Sequence, residues 1–232
     1  MNSRISAAAV TAACLLVALP HTVSGASAST GALDLELNES SGASTAVDSS
    51  GHHHNGKIGS RVDMGGGHAR FPVEPKDTSL GSAPLIEVPD ASDGSLDPGR
   101  GTFTVVVKYR STHSEGNLVQ KGQATNSGGQ VKLEQVGSAL SCSFRTSAGA
   151  ARAGSGTVVM NNGTWHTVRC VRTATSVTMY VDGQRTSRST RSTGNLDNTM
   201  PWTIGGKPKC NGSSVDCDYF AGDVDYLRLT KG

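Results

Sequence analysis

Trp165-His166-Thr167-Val168-Arg169-Cys170-Val171-Arg172, followed after a short polar break by Val177-Thr178-Met179-Tyr180-Val181-Asp182-Gly183-Gln184, decides the fold. In both runs apolar residues alternate with polar ones, the period of a half-buried β-strand. Asp182-Gly183 is a pair favoured in two-residue hairpins, because both positions tolerate positive φ. The segment predicts two antiparallel strands and the tight turn that closes the second.

The rest of the chain repeats this grammar. Thr102 to Tyr109 is the richest stretch in β-branched and aromatic residues and predicts a strand. Leu33-Asp-Leu-Glu-Leu37 alternates with period two, and Pro84-Leu-Ile-Glu-Val88 is a short strand. Further strands are expected at Asn117 to Lys121, Gln130 to Gln135, Ser138 to Thr146, Ala153 to Met160, Pro201 to Gly205 and Asp223 to Thr230. Asn38 to Gly56, rich in Ser, Gly and His, is expected as a long polar loop, and Gly65-Gly-Gly67 as a sharp turn or bulge. About a dozen short strands and no helix predict an all-β, two-sheet antiparallel sandwich of jelly-roll kind. No internal repeat or linker divides it.

Residues 1–28 have the pattern of a secretory signal peptide: Arg4, an apolar run from Ala7 to Leu19, Pro20, and a small-x-small site at Ala26-Ser27-Ala28. The run is shorter than the roughly 20 apolar residues that cross a bilayer, so no membrane span is expected. The mature domain, residues 29–232, is expected to be secreted. It holds four cysteines, Cys142, Cys170, Cys210 and Cys217, an even number that implies disulfides with three possible pairings. Cys142–Cys170 and Cys210–Cys217 are chosen: the first pair lies in two strand-like segments, the second closes a short loop.

Charge is unevenly spread. Residues 29–110 carry 7 basic and 11 acidic side chains, residues 111–232 carry 13 basic and 8 acidic. Arg185, Arg188 and Arg191 lie close together, either as a solvated strand face or as a patch for an acidic polysaccharide or wall polymer. A secreted chain with 4% aromatic residues is not expected to bind nucleic acid.

These motifs, in this order, resemble the laminin G-like, concanavalin A-like lectin/glucanase superfamily. The resemblance rests on Leu35-Glu-Leu-Asn-Glu-Ser-Ser-Gly42, Ala46-Val-Asp-Ser-Ser-Gly51 with Asn55-Gly56, Ser95-Leu-Asp-Pro98 with Phe103-Thr-Val105, Trp165-His166 through Tyr180-Val-Asp-Gly183, Thr203-Ile-Gly-Gly206, and Phe220-Ala-Gly-Asp-Val-Asp-Tyr-Leu-Arg228. The cysteines and Cys217-Asp-Tyr-Phe220 are similar to a secreted actinobacterial subgroup. The fold hosts lectins, adhesion modules and glycosidases, so the resemblance implies structure more than function.

Glycoside hydrolysis needs two carboxylates flanking the bond. The nearest run, Asp34-x-Glu36-x-x-Glu39, departs in order and position from the pattern of sandwich glucanases and reads as an alternating edge strand. The side chains expected of sandwich lyases are also missing, and no catalytic motif is found. The resemblance implies a structural Ca²⁺ held by Asp48, Asn55 and Asp225; the alternative is that Asp48 caps its own turn and Asp225 pairs with a nearby cation. His52-His53-His54 is expected as a solvated loop, since consecutive side chains diverge. Among the few aromatics, Trp165 is expected in the core, and Trp202 and Tyr219, with Tyr226, are the candidates for stacking on a sugar. Tyr219 could instead pack on the second disulfide. The expectation is a non-catalytic binding module for extracellular polysaccharide or cell-wall glycan. A surface-protein adhesion module and a glycan-cleaving enzyme are the alternatives.

Overall fold

Asp182 and Gly183 have φ of 49° and 81°, the left-handed pair that a two-residue hairpin requires, and strands run antiparallel on either side. His166, the second residue of the Trp-His pair, lies with Nδ1 2.7 Å from Asp182 Oδ2, while Asp182 Oδ1 accepts the Thr167 N–H at 2.8 Å. One carboxylate thus ties the turn to the neighbouring strand.

The computed structural model describes residues 30–76, 78–123, 127–207, 209–210 and 217–232. Among these lie sixteen strands: β1 (Thr30–Leu35), β2 (Thr45–Ala46), β3 (Gly56–Ile58), β4 (Asp63–Gly65), β5 (His68–Phe71), β6 (Ile86–Val88), β7 (Phe103–Arg110), β8 (Glu115–Lys121), β9 (Gln130–Val136), β10 (Ala139–Thr146), β11 (Gly149–Gly154), β12 (His166–Arg172), β13 (Val177–Val181), β14 (Gln184–Ser189), β15 (Trp202–Ile204) and β16 (Gly222–Lys231). They form two antiparallel sheets. The first has the order β14-β13-β12-β7-β16-β5-β4, with β1 beside β16; the second has the order β11-β10-β9-β8-β15-β6-β3-β2. The expected all-β jelly-roll sandwich is present, and no helix long and apolar enough to cross a membrane occurs among the described residues. The expected signal peptide lies outside them.

Period two builds the core. Phe103, Val105, Val107 and Tyr109 of β7 face inward, as do Val168 and Cys170 of β12 and Leu227 and Leu229 of β16. Val131 and Leu133 of β9 and Leu140, Cys142 and Phe144 of β10 meet them from the second sheet. The Cys142–Cys170 disulfide joins β10 to β12 through this core, and Cys210–Cys217 closes the second loop, both as expected.

The structure departs from the sequence reading in two places, and bears out the sharp turn expected at Gly65–Gly67. The strand expected at Ala153 to Met160 lies earlier, at β11, where small side chains pair with β10, Ala151 opposite Phe144 and Ala153 opposite Cys142. The polar stretch from Asn38 holds β2, and β3, β4 and β5 follow it as short strands. Gly65-Gly-Gly67 is a hairpin turn: Gly66 and Gly67 have φ of 67° and 78° between Gly65 and its partner His68.

Candidate binding groove

Four adjacent strands of the second sheet carry one row of outward side chains. Gln120 of β8 stands opposite Lys132 of β9, Lys132 opposite Ser143 of β10, and Ser143 opposite Arg152 of β11. A second row places Gln130 beside Arg145 and Arg145 beside Ala150. Alternation puts these groups outside because Val131, Leu133, Cys142, Phe144 and Ala151 take the inward positions.

The two rows floor an open groove of about 730 Å³. Ser189 at the end of β14 and Arg191 just beyond it line it, as do Gln123, Lys207 and Asp218. Lys132 Nζ lies 2.8 Å from Glu134 Oε1, and Lys207 Nζ 2.8 Å from Asp218 Oδ2. Arg145, Arg152 and Arg191 are exposed, and among the described residues none of the three has an ion-pair partner. Gln120 is held by Asn117, whose Nδ2 donates to its Oε1 at 2.7 Å, and its own Nε2 donates to the Gly122 carbonyl at 2.7 Å. Phe144, the one aromatic among the described lining residues, is fully buried. The arrangement offers hydroxyl, amide and guanidinium groups without a stacking platform.

The residues expected to stack on sugar lie elsewhere. Trp202 is 0% exposed: its ring stacks on Phe103 at 5.8 Å between centroids, and its Nε1–H donates to the Leu96 carbonyl at 2.9 Å. It sits on central strand β15, between β6 and β8, and is a core residue that no sugar reaches. The Tyr219 hydroxyl accepts the Leu80 N–H at 2.9 Å and lies 3.8 Å from Cys210 Sγ, so the ring packs at the second disulfide. Tyr226 is half-buried on the outer face of the first sheet, covered by Arg228 at 4.2 Å from its ring centroid. Trp165, expected in the core, is half-buried on the same face, with Arg110 and Lys108 at 4.8 and 5.4 Å from its centroid.

The three residues expected around Ca²⁺ do not form one donor set. Asp48 and Asn55 meet, because Asn55 Oδ1 accepts the Asp48 N–H at 2.8 Å. The Asp48 carboxylate is already filled: Oδ1 accepts the N–H groups of Asp34 and Ser50, and Oδ2 accepts the Ser50 hydroxyl and the His54 N–H, all between 2.8 and 3.0 Å. Burial alone would raise its pKa, but these donors outweigh it and hold the group below the usual carboxylate value. Asp225 instead pairs with Lys108 at 2.7 Å. A β-bulge between Val224 and Tyr226 puts Asp225 and Tyr226 both toward the outer face. Ca²⁺ needs free oxygen lone pairs, so these residues as placed do not fit it. Asp48 caps its own turn.

In the His52–His54 segment His52 and His53 are exposed, and His54 Nε2 lies 3.0 Å from Ser95 Oγ. Asp34 and Glu36 both pair with Arg228 across the β1–β16 ladder, and Glu39 Oε1 accepts the Val47 N–H at 2.7 Å. Arg185 and Arg188 are exposed on β14. Of the groove lining, Arg191 was named in the sequence as part of a basic patch; the residues of the floor were missed. The usable signal was the alternation Gln130-Val-Lys-Leu-Glu and Ser141-Cys-Ser-Phe-Arg, which sends polar groups to one face once the strands are paired.

Two antiparallel sheets packed face to face in this strand order define a jelly-roll β-sandwich. The chain belongs to the laminin G-like branch of the concanavalin A-like lectin/glucanases superfamily, whose family model matches residues 80–232. Among solved structures it is similar to domains LG4-5 of the mouse laminin α1 chain, with a TM-score of 0.50 and 21% identity over 70% of this chain and 40% of that one. It is also similar to the binding domain of botulinum neurotoxin serotype C1, with a TM-score of 0.57 and 12% identity over 87% of this chain and 48% of that one. The chain thus spans less than half the length of either. No curated protein sequence matches it.

Proposed function

We propose that the protein is an extracellular, non-catalytic module that binds carbohydrate in the groove across β8–β11. The observation that carries this reading is the row Lys132–Ser143–Arg152, three polar side chains from three adjacent strands lining one open groove, with the fully buried, hydrogen-bonded Gln120 amide at its β8 end. Amides and hydroxyls both donate and accept, which suits the mixed hydroxyl surface of a sugar chain. Among the described residues one carboxylate lines the groove, Asp218, and it is engaged by Lys207, whereas hydrolysis of a glycosidic bond calls for a pair. Two disulfides support an oxidising, extracellular setting. The superfamily contains lectins, and one structural neighbour is described as a toxin's binding domain.

The test is thermal unfolding of the protein with a panel of acidic and neutral polysaccharides. A ligand at about 100 times its Kd stabilises the native state by about 2.7 kcal/mol. At least one polysaccharide should raise the Tm of the wild type and leave that of Ser143→Trp, which plugs the groove floor, unmoved. A rise of equal size in Ser143→Trp would place binding outside the groove and overturn the assignment.

A further inference from the structure

The groove is not closed at its β11 end. β11 and β14 are the terminal strands of the two sheets, and they adjoin: the Thr186 hydroxyl on β14 donates to the Gly154 carbonyl on β11 at 2.8 Å. Ser189, which ends β14, and Arg191, which follows it, line the groove together with Ala150, Ala151 and Arg152 of β11. The chain that borders the groove therefore continues directly into the exposed strand carrying Arg188 and Arg185.

Along this path the cations are uncompensated. Arg145 and Arg152 stand on neighbouring strands, Arg191 stands beside them, and Arg188 and Arg185 continue over the sandwich edge; among the described residues none of the five has an ion-pair partner. Several basic side chains elsewhere are neutralised: Arg228 by Asp34 and Glu36, Lys108 by Asp225, Arg70 and Arg110 by Asp223, Lys121 by Asp90. Lys57, Arg100 and Arg169 are exposed without an ion-pair partner among the described residues, but none of them lines the groove. Five guanidiniums in one band without an ion-pair partner repel one another until an anion with several charges lies along them. Arginine is also the side chain whose fork fits carboxylate and sulfate oxygens two at a time.

We infer that the ligand is an acidic polysaccharide, and that it is longer than the groove: it lies on Arg145 and Arg152, passes Arg191, and crosses the β11–β14 edge along Arg188 and Arg185. This rests on the carbohydrate reading above and adds the charge and the extent of the ligand. The neutral lining, Gln123, Gln130 and Ser143, favours sugar hydroxyls over polypeptide, since among the described lining residues no exposed aromatic or apolar pocket would take peptide side chains.

The experiment measures binding of the full mature protein to alginate, which bears carboxylates, to dextran sulfate and to neutral dextran. Each polymer is tested long and as short oligosaccharides, with polyglutamate as a control. At least one acidic polymer should bind and dextran should not, with an affinity loss of at least tenfold between about 50 and 200 mM salt, as counterion release demands. The carboxylate and sulfate arms identify which acidic group is read. Arg145→Gln with Arg152→Gln should weaken long and short acidic chains at least tenfold. Arg185→Gln with Arg188→Gln should weaken the long chain at least fivefold and leave the short one unchanged. Lys57→Gln, which removes an exposed charge on β3, should change neither, and the Tm of each variant reports folding. Dextran bound as tightly, with Arg145→Gln/Arg152→Gln indifferent, would overturn the acidic ligand and leave the carbohydrate reading intact. A long chain indifferent to Arg185→Gln/Arg188→Gln would overturn the track over the edge. No polysaccharide bound, or polyglutamate bound as tightly as any of them, would overturn both readings.

Discussion

Cys142 on β10 and Cys170 on β12 are bonded through the middle of the sandwich, each fully buried and each on a different sheet. The bond spans a sequence separation of 28. In the chain-entropy account such a loop removes freedom from the unfolded chain worth about 3.6 kcal/mol, against about 2.5 kcal/mol for the shorter Cys210–Cys217 loop. Cys142→Ala with Cys170→Ala should therefore cost more stability than Cys210→Ala with Cys217→Ala. Urea unfolding of the two double variants measures the difference, and equal costs would show that native-state packing rather than loop length sets the stabilisation.

The two tryptophans occupy opposite environments. Trp202 is sealed in the core against Phe103, whereas Trp165 lies half-exposed under Arg110 and Lys108. Trp202→Ala should cost about 3–5 kcal/mol, the range for large aromatic truncations in cores. Trp165→Ala should cost about 1 kcal/mol, mostly its cation–π contacts. Acrylamide should quench the fluorescence of the Trp202→Phe variant, which retains Trp165, strongly, and that of Trp165→Phe weakly.

Local signals were legible where one strand and its turn carry the whole message. Alternation from Val168 to Val181 and the Asp182-Gly183 pair were enough to give β12, β13 and the turn into β14. β3, β4 and β5 are too short, and too rich in Gly and His, for two-residue periodicity to emerge. All three residues of β15 are buried, so its sequence carries no alternation from which the environment of Trp202 could be read. Asp225 is displaced by a bulge that no composition rule announces. The groove was invisible for a different reason. Gln120, Lys132, Ser143 and Arg152 are ordinary polar residues on four separate strands, and only the register of three ladders aligns them.

Asp48 makes the fold acid-sensitive in a definite direction. Its native pKa lies below its ordinary value, so the native state binds its proton less readily than the unfolded chain does. The stabilisation is complete above the unfolded pKa, near 4, and is lost as pH falls through the native pKa. Asp48→Asn presents an amide to at least one of the donors that the carboxylate satisfies, a cost of about 1–3 kcal/mol at pH 7. The gap between wild type and variant should close as pH drops below about 4, as followed by urea titrations along a pH series. Because the carboxylate is filled by protein donors, EDTA should leave the Tm where CaCl₂ leaves it; a Ca²⁺-dependent rise abolished in Asp48→Asn would show that the loop rearranges to admit the ion.

Arg172 is a buried guanidinium whose neighbours are almost all backbone oxygens. Its Nε–H donates to Thr193 Oγ1 at 3.1 Å, one terminal nitrogen reaches the carbonyls of Pro98, Gly99 and Gly101 at 3.0–3.3 Å, and the other donates to the Gly194 carbonyl. Burial without a carboxylate pushes the guanidinium below its usual pKa, yet its high starting value keeps it charged at neutral pH. The side chain thus fastens the 98–101 loop to the 193–194 segment, where Gly99 and Leu196 also exchange two backbone hydrogen bonds at 2.8 Å. The second segment follows directly on Arg191 at the groove rim. A lysine has three donors at one point and cannot reach carbonyls on both loops, so Arg172→Lys should cost about 2–3 kcal/mol and Arg172→Ala more, each leaving buried carbonyls unpaired. The location of the loss is as informative as its size. In Arg172→Lys the amides of Gly99 and Leu196 should exchange hydrogen faster than in wild type, while Val107 on β7 keeps its protection under conditions where local opening governs exchange. Uniform acceleration across all three would mean that Arg172 supports the whole sandwich rather than this junction.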